Sequence, residues 1–173
     1  MSGTEAFIGI GSNVGPEENI PRAVAALAVE LRLTGLSTFY RTAPVGPAGQ
    51  PAFVNGVARV RTELSPRDLK SRVLRGIETR LGRVRDEDRY RPRPIDLDLL
   101  LCGDEVVREE GLSLPDPDLR ERPYLAAALL ELSPDLRLPD DGKALARLIG
   151  EREREVLEPL PEFSKRLKDR FGV

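Results

Sequence analysis

Proline sets the frame within which this chain can form regular structure. Its 15 prolines leave three long gaps, residues 22–43, 67–91 and 95–114. Because proline lacks an amide proton and fixes φ, long helices and strands belong in those windows. Near the N-terminus, Ala6 to Ile10 is a continuous apolar run ending in Gly11-Ser12-Asn13, the pattern of a buried strand followed by a turn. Ile20, Val24, Leu27 and Leu31 follow at helical spacing, with Pro21 in or near the first turn and Gly35 closing the helix. Leu36 to Arg41 and Phe53 to Arg61 read as strands, separated by a loop of Pro and Gly from Ala43 to Gly49. Ser65-Pro66 supplies an N-cap and a first helical residue, after which Leu69, Val73, Ile77 and Leu81 recur every fourth position up to Gly82. Residues 83–93 show no apolar periodicity; Ile95 to Leu101 then alternates into Gly103-Asp104, a hairpin turn before Val106-Val107.

Strand, helix, strand, strand, helix, strand is the order of an α+β ferredoxin-like plait, an antiparallel sheet with helices packed on its faces. The C-terminal third adds extra helices, and residues 151–170, with six acidic and six basic side chains, read as a solvated helical surface. At 173 residues the expectation is a single domain, 1–173, with 145–173 as a C-terminal helical extension. Basic and acidic side chains number 27 and 29, so no global positive field recruits nucleic acid or an anionic membrane, and any anion site must be local. The absence of histidine and the lone Cys102 exclude His-based catalysis, an intramolecular disulfide and ordinary structural zinc. With no signal-like N-terminus and no apolar run near the ~20 residues that span a bilayer, a monomer in the reducing cytoplasm is expected.

The segment Arg91-Pro92-Arg93-Pro94-Ile95-Asp96-Leu97-Asp98 carries the strongest chemical signal. On a strand the side-chain period is two, so Ile95, Leu97 and Leu99 face the core while Asp96 and Asp98 share the other face, about 7 Å apart at Cα. Unpaired, they repel; hard oxygen ligands of this kind suit Mg²⁺ bridging phosphates, although an exposed strand face salt-bridged to arginines has the same pattern. Arg83, Arg85, Arg89, Arg91 and Arg93 precede the acids within one loop, and guanidinium forks bind phosphate oxygens bidentately. The same arginines can pair internally with Asp86, Glu87 and Asp88. On the strand from Phe53, Val54, Ala58 and Val60 share the core face, which turns Phe53 and Asn55 outward together, a plate and an amide suited to a flat heterocycle or to packing under the 43–51 loop. Gly9-Ile10-Gly11-Ser12-Asn13-Val14-Gly15 approaches a dinucleotide fingerprint but places its third glycine one residue too far, and no Walker-type phosphate loop exists. Those glycines read as the turn from strand into helix.

Taken together, Ile8-Gly9-Ile10-Gly11-Ser12-Asn13, Phe39-Tyr40-Arg41-Thr42-Ala43-Pro44-Val45-Gly46, Gln50-Pro51 to Asn55, Gly82-Arg83-Val84-Arg85 and Arg93-Pro94-Ile95-Asp96-Leu97-Asp98 resemble, in order, the motifs of the 6-hydroxymethyl-7,8-dihydropterin pyrophosphokinases of folate biosynthesis. Leu114-Pro115, Glu121-Arg122 and Pro134 extend the likeness across residues 5–140. The resemblance implies transfer of a pyrophosphoryl group from ATP to the hydroxymethyl oxygen of 6-hydroxymethyl-7,8-dihydropterin, with attack on the β-phosphorus and release of AMP. It implies that Asp96 and Asp98 bind two Mg²⁺ ions and that Arg83 and Arg93 join them as catalytic residues. Glu78, Arg85, Tyr90, Arg93 and Arg122 would contact ATP. Phe53 and Tyr124 would sandwich the pterin, with Thr42, Val45 and Asn55 reading its edges. The chain departs from the family pattern at Asp116, where a histidine is usual, at Tyr90, where Trp is expected, and at Arg91, where Gly is expected. A ferredoxin-like small-molecule-binding regulatory module without turnover is the alternative; it has no need of a carboxylate pair opposite an arginine loop.

Overall fold

The apolar run at the N-terminus becomes the central strand of the sheet in a computed structural model that describes residues 2–44, 46–150, 153–154 and 156–173. Strand β1 (Thr4–Ser12) pairs antiparallel with β4 (Phe53–Thr62) on one side and β5 (Asp96–Cys102) on the other. Being central, β1 is buried on both faces, which is why its sequence runs apolar instead of alternating. β2 (Arg32–Leu36) and β3 (Tyr40–Thr42) pair in succession along the free edge of β4, and β8 (Glu158–Pro159) adds to β3. The resulting order is β5-β1-β4-β3-β8, with β2 alongside β4, and every pairing is antiparallel. This is the α+β plait expected from the order of elements.

One face of the sheet is covered by α1 (Pro16–Glu30), α2 (66–80) and α5 (Pro161–Phe171). Its core includes Ile8, Ile10, Val24, Leu27, Leu69, Ile77, Leu97, Leu99 and Phe163. Helix α2 is composite: Pro66–Asp68 and Arg75–Arg80 are α-helical, and Leu69–Leu74 between them is wound with i→i+5 bonds, Arg75 N–H donating to Lys70 C=O. Its N-cap is Ser65, whose Oγ accepts from Asp68 N at 3.1 Å. The opposite face packs Phe7, Val57, Leu100 and Leu101 against α4 (Pro123–Leu132), which follows the short α3 (Asp118–Glu121). A register shift between Phe7 and Ile8 opposite β5 turns both Leu100 and Leu101 toward this second core. No helix among the described residues is long and apolar enough to cross a membrane.

Several expectations need correcting. Helix α1 begins at Pro16 behind Gly15, whose φ of 54° makes the left-handed entry, so Pro21 falls in the second turn. The helix ends at Glu30, and Gly35 lies inside β2 beside a register shift. There, a Cβ would stand 3.1 Å from Leu132 Cδ2 and 3.4 Å from the Arg59 guanidinium, so glycine is needed for close approach and not for capping. Leu36 to Arg41 is two strand pieces, interrupted at Ser37-Thr38-Phe39. Gly103-Asp104 does not fold β5 into a hairpin: Val106 is exposed, and β6 (Val107–Glu109) pairs with β7 (Leu112–Leu114) in a separate ribbon. The C-terminal segment is not simply a solvated helical surface, because it contributes β8 and buries Phe163, Ser164 and Leu167. Residues 151, 152 and 155 of that stretch lie outside the described residues.

A close contact joins the segment between β2 and β3 to the first core face of β4. The ring of Phe39 lies flat on the backbone of Gly56, where a Cβ would sit 2.7 Å from three ring atoms. Gly56→Ala is therefore expected to destabilise the protein by about 1–3 kcal/mol through overpacking, measured as a shift in the urea unfolding midpoint at constant m-value.

Candidate active site

The register of the sheet builds the site. On the face toward α4, Asp96 and Asp98 of β5 stand opposite Gly11 and Gly9 of β1, and Gly11 in turn stands opposite Asn55 of β4. Since neighbouring strands are about 4.8 Å apart, the carboxylates and the amide are separated by about 10 Å, and the strand between them has no side chains at those two positions. A groove floored by backbone results, part of a cleft of about 440 Å³. A Cβ on Gly11 would collide with the Asn55 amide oxygen. A larger hollow, of about 760 Å³, opens at the far end of β4 near Arg61 and Val29, away from both carboxylates.

One half of the cleft is suited to a flat ring. Phe53 and Tyr124, from β4 and the start of α4, both line it, as do Thr42 and Asn55. Asn55 Nδ2 donates to Thr42 Oγ1 at 2.7 Å, which fixes the amide's orientation. Tyr124 is held protonated by burial, which raises its pKa against the opposing pull of nearby Arg122. Val45, expected beside Thr42, lies outside the described residues. Tyr90 closes over this half rather than the other: its ring packs on Gly46, whose φ of 119° and lack of a side chain admit it, and its carbonyl accepts from Gln50 Nε2.

The other half is a chain of charges. Glu78, at the end of α2 and only 2% exposed, accepts from Arg83 Nη1 and from Arg85 Nη2 at 3.0 Å. Arg83 also donates to Asp96, whose second oxygen accepts from Arg93 Nη1 at 2.7 Å. Glu78 and Arg85 are not among the residues lining the cleft; Glu78 holds Arg83, and Arg85 pairs with Glu78. Burial, with the Asp96 charge, raises the pKa of Glu78, while Arg83 and Arg85 oppose the shift. The helix geometry explains how Glu78 reaches this place. At 100° per residue a regular α-helix would put Glu78 about 180° from Leu69, and one residue taken up by the widened turn brings it back to about 80°.

Asp98 is the exception in this network. It is exposed to the cleft and has no ion pair among the described residues, where Asp96 has two. Protein packed around its remaining sides desolvates it, and Asp96, Asp116 and Glu78 add like charge, so its pKa stands well above the usual carboxylate range. An unpaired carboxylate beside a second one is a hard-oxygen donor set that fits Mg²⁺, which is commonly held by one or two carboxylates with phosphate and water completing its shell. The described residues contain no group of three or more His, Cys, Asp or Glu side chains that could hold a metal ion.

Of the other arginines lining the cleft, two are already partnered and Arg89 has no ion pair among the described residues. Arg91 pairs with Asp86, and Arg122 Nε with Asp118 at 3.1 Å. Three residues were not legible as functional from the sequence. Gly9 and Gly11 form the groove floor, and their spacing of two on a strand was the available signal. Asn13, 3% exposed, exchanges hydrogen bonds with the Arg93 backbone, accepting at Oδ1 (2.7 Å) and donating from its N–H (3.1 Å). It thereby anchors the end of the arginine loop to the end of β1.

Residues 7–134 match the family model described as 7,8-dihydro-6-hydroxymethylpterin-pyrophosphokinase (HPPK). A Pseudomonas aeruginosa protein named 2-amino-4-hydroxy-6-hydroxymethyldihydropteridine pyrophosphokinase is 42% identical over 158 residues, covering 90% of this chain and 96% of its own. A protein of the same name from Haemophilus influenzae is 40% identical over 138 residues, covering 78% and 85%. Among solved structures, wild-type Plasmodium falciparum HPPK-DHPS superposes with a TM-score of 0.68 at 12% identity, covering 99% of this chain; the chain spans about half, 47%, of that longer protein.

Two substitutions test the charge chain. Glu78→Ala leaves Arg83 buried without one of its partners and is expected to cost about 3–5 kcal/mol in urea denaturation. Asp98→Asn removes the unpaired like charge instead, and is expected to raise the melting temperature of the ligand-free protein.

Proposed function

The chain belongs to the 7,8-dihydro-6-hydroxymethylpterin-pyrophosphokinase family, and on that premise we propose that its cleft transfers a pyrophosphoryl group from ATP to the hydroxymethyl group of 6-hydroxymethyl-7,8-dihydropterin, giving AMP and the pterin diphosphate. The observation that carries this reading is the division of one cleft into a ring-holding half and a carboxylate–arginine half across a floor without side chains.

In this reading the pterin lies between Phe53 and Tyr124, with the Asn55 amide, oriented by Thr42, reading its edge. Val45 is assigned to the same subsite by family resemblance alone. Reading ring edges with a positioned amide favours substrates that offer matching donors and acceptors, since an unmatched amide would stay desolvated and unpaired. The hydroxymethyl oxygen forms a bond to the β-phosphorus, the bond from that phosphorus to the α–β bridging oxygen breaks, AMP departs, and the hydroxyl proton passes to water. Among the described residues lining the cleft, no side chain is placed as a covalent nucleophile, and catalysis in this reading rests on positioning and charge neutralisation.

Asp96 and Asp98 would hold two Mg²⁺ ions, which when bound supply charge neutralisation on the transferring group. Arg93 and Arg83 keep Asp96 oriented and line the cleft where the phosphates would lie, while Glu78, itself paired with Arg85, holds Arg83 in place. Arg122 lines the cleft and is assigned to ATP by family resemblance, whereas Tyr90, packed on Gly46, covers the ring-holding half instead of the ATP half.

Purified protein incubated with ATP, Mg²⁺ and 6-hydroxymethyl-7,8-dihydropterin is expected to form AMP one-for-one with pterin diphosphate on chromatographic separation. ADP as product would replace this reading with simple kinase chemistry, and pterin binding without turnover would favour a regulatory module. Asp96→Ala and Asp98→Ala are each expected to lower kcat by at least about 10²–10³-fold, the scale of losing preorganised charge stabilisation. Wild-type rates in both variants would remove the metal assignment.

A further inference from the structure

The family model ends at residue 134, yet residues beyond it are built into the sheet that carries the ring-holding half of the cleft. Strand β3 is only three residues long, and it places Thr42 against Phe53 and Tyr40 against Asn55. So short an edge strand holds its position weakly by its own pairing. The C-terminal segment reinforces it from outside: β8 aligns Tyr40 with Pro159 and Arg41 with Glu158, and Leu160 N–H donates to Phe39 C=O at 2.8 Å.

Helix α5 adds contacts directly behind the cleft floor. Ser164 Oγ accepts from the buried Phe39 N–H at 2.8 Å and donates to Leu160 C=O at 2.7 Å. Phe163 meets the Phe39 ring edge-on, with centroids 5.6 Å apart and planes at 81°. Phe39 itself is fully buried and lies on Gly56, the residue that follows Asn55 in β4 and also lines the cleft. A continuous packed path therefore runs from Phe163 through Phe39 and Gly56 to the Asn55 amide. Nothing equivalent leads from α5 to Asp96 or Asp98, which belong to the opposite edge strand, β5.

We propose that helix α5 is a positioning element for the pterin half of the cleft, with Phe163 and Ser164 fixing Phe39 and through it the placement of Asn55 and Thr42. The proposal rests on the pyrophosphokinase reading of the cleft. It deepens that reading by separating the control of the two substrates: the C-terminal helix sets pterin affinity, and the charge chain at β5 sets ATP affinity.

Calorimetric titration with Mg²⁺ present measures both affinities, using a non-hydrolysable ATP analogue alone and then the pterin on the analogue complex. Ser164→Ala leaves the buried Phe39 N–H without an acceptor, and Phe163→Leu removes the edge-on ring while keeping an apolar filling. Each is expected to weaken pterin binding by about tenfold and to leave analogue binding within twofold of wild type. Leu167→Ala, buried one turn further along the same helix, is expected to lower the melting temperature without weakening pterin binding. Equal weakening of both ligands, unchanged pterin binding in both variants, or the same pterin loss in Leu167→Ala would overturn the proposal while leaving the functional reading intact. Wild-type protein that binds the analogue but not the pterin would overturn the functional reading, and the proposal with it.

Discussion

Arg83 bridges two carboxylates in a place with little access to water, and the rest of the site is arranged around that bridge. Glu78 and Arg83 are both largely removed from solvent. A lone charge there would be costly, whereas the pair, extended to Arg85 on one side and Asp96 on the other, keeps every member satisfied. Such a chain adds little net stability over apolar packing. Its consequence is geometric. By engaging one oxygen of Asp96 from Arg83 and the other from Arg93, it leaves Asp98 as the acid with no partner on the cleft floor. Which of the two carboxylates is unpaired in the ligand-free site is thus set in part by a glutamate that lines no part of the cleft, brought inward by one widened turn of α2.

The same economy of position operates in β1. A central strand normally fills both faces with side chains, and β1 does so at Phe7 and Ile8. At Gly9 and Gly11 it fills neither groove position, and the sheet itself becomes the floor between the ring-holding residues of β4 and the acids of β5. The two halves need no flexible linker between them, since a rigid three-strand ladder fixes their separation. Asn13, at the end of this strand, then ties the arginine loop to the ladder through the Arg93 backbone. The loop's middle is free to carry Tyr90 over Gly46 while its end stays in register with Asp96.

Much of this was legible in the sequence where a single period ruled. The alternation from Ile95 to Leu99 placed Asp96 and Asp98 on one face, and the strand from Phe53 placed its aromatic beside its amide, because each strand obeys period two up to a register shift. The fourfold spacing of Leu69, Val73, Ile77 and Leu81 gave the second helix. A strict step of four overshoots a regular α-helix by about 40° each time, which hints at a widened turn, but hydrogen-bond register is a tertiary outcome that spacing alone does not determine. Gly35 was misread because a glycine after an apolar helical stripe has two physical uses, a cap and a close approach, and only the position of Leu132 and Arg59 distinguishes them. The C-terminal helix was misread for a related reason: its balanced charges describe the solvated side, and the three buried positions facing the core are too few to dominate the pattern.

The departures from the family pattern acquire a physical meaning once the charges are paired. Asp116 faces its own turn: its Oδ1 accepts from Asp118 N at 2.8 Å, while its own N–H donates to Leu100 C=O at 3.0 Å. Burial raises its pKa, and the backbone bond to Asp118 opposes that rise. Asp116 contributes background charge to Asp98 and is not among the residues lining the cleft. The arginines are likewise not idle before a polyphosphate arrives, since Arg85, Arg91, Arg93 and Arg122 each already have a carboxylate partner. At these four arginines, binding of a triphosphate exchanges one set of ion pairs for another, while Arg89 lines the cleft with no ion pair among the described residues. Exchange of this kind yields a smaller gain in affinity than pairing free charges, but it keeps each guanidinium oriented beforehand, and orientation fixed in advance is what phosphoryl transfer by positioning requires.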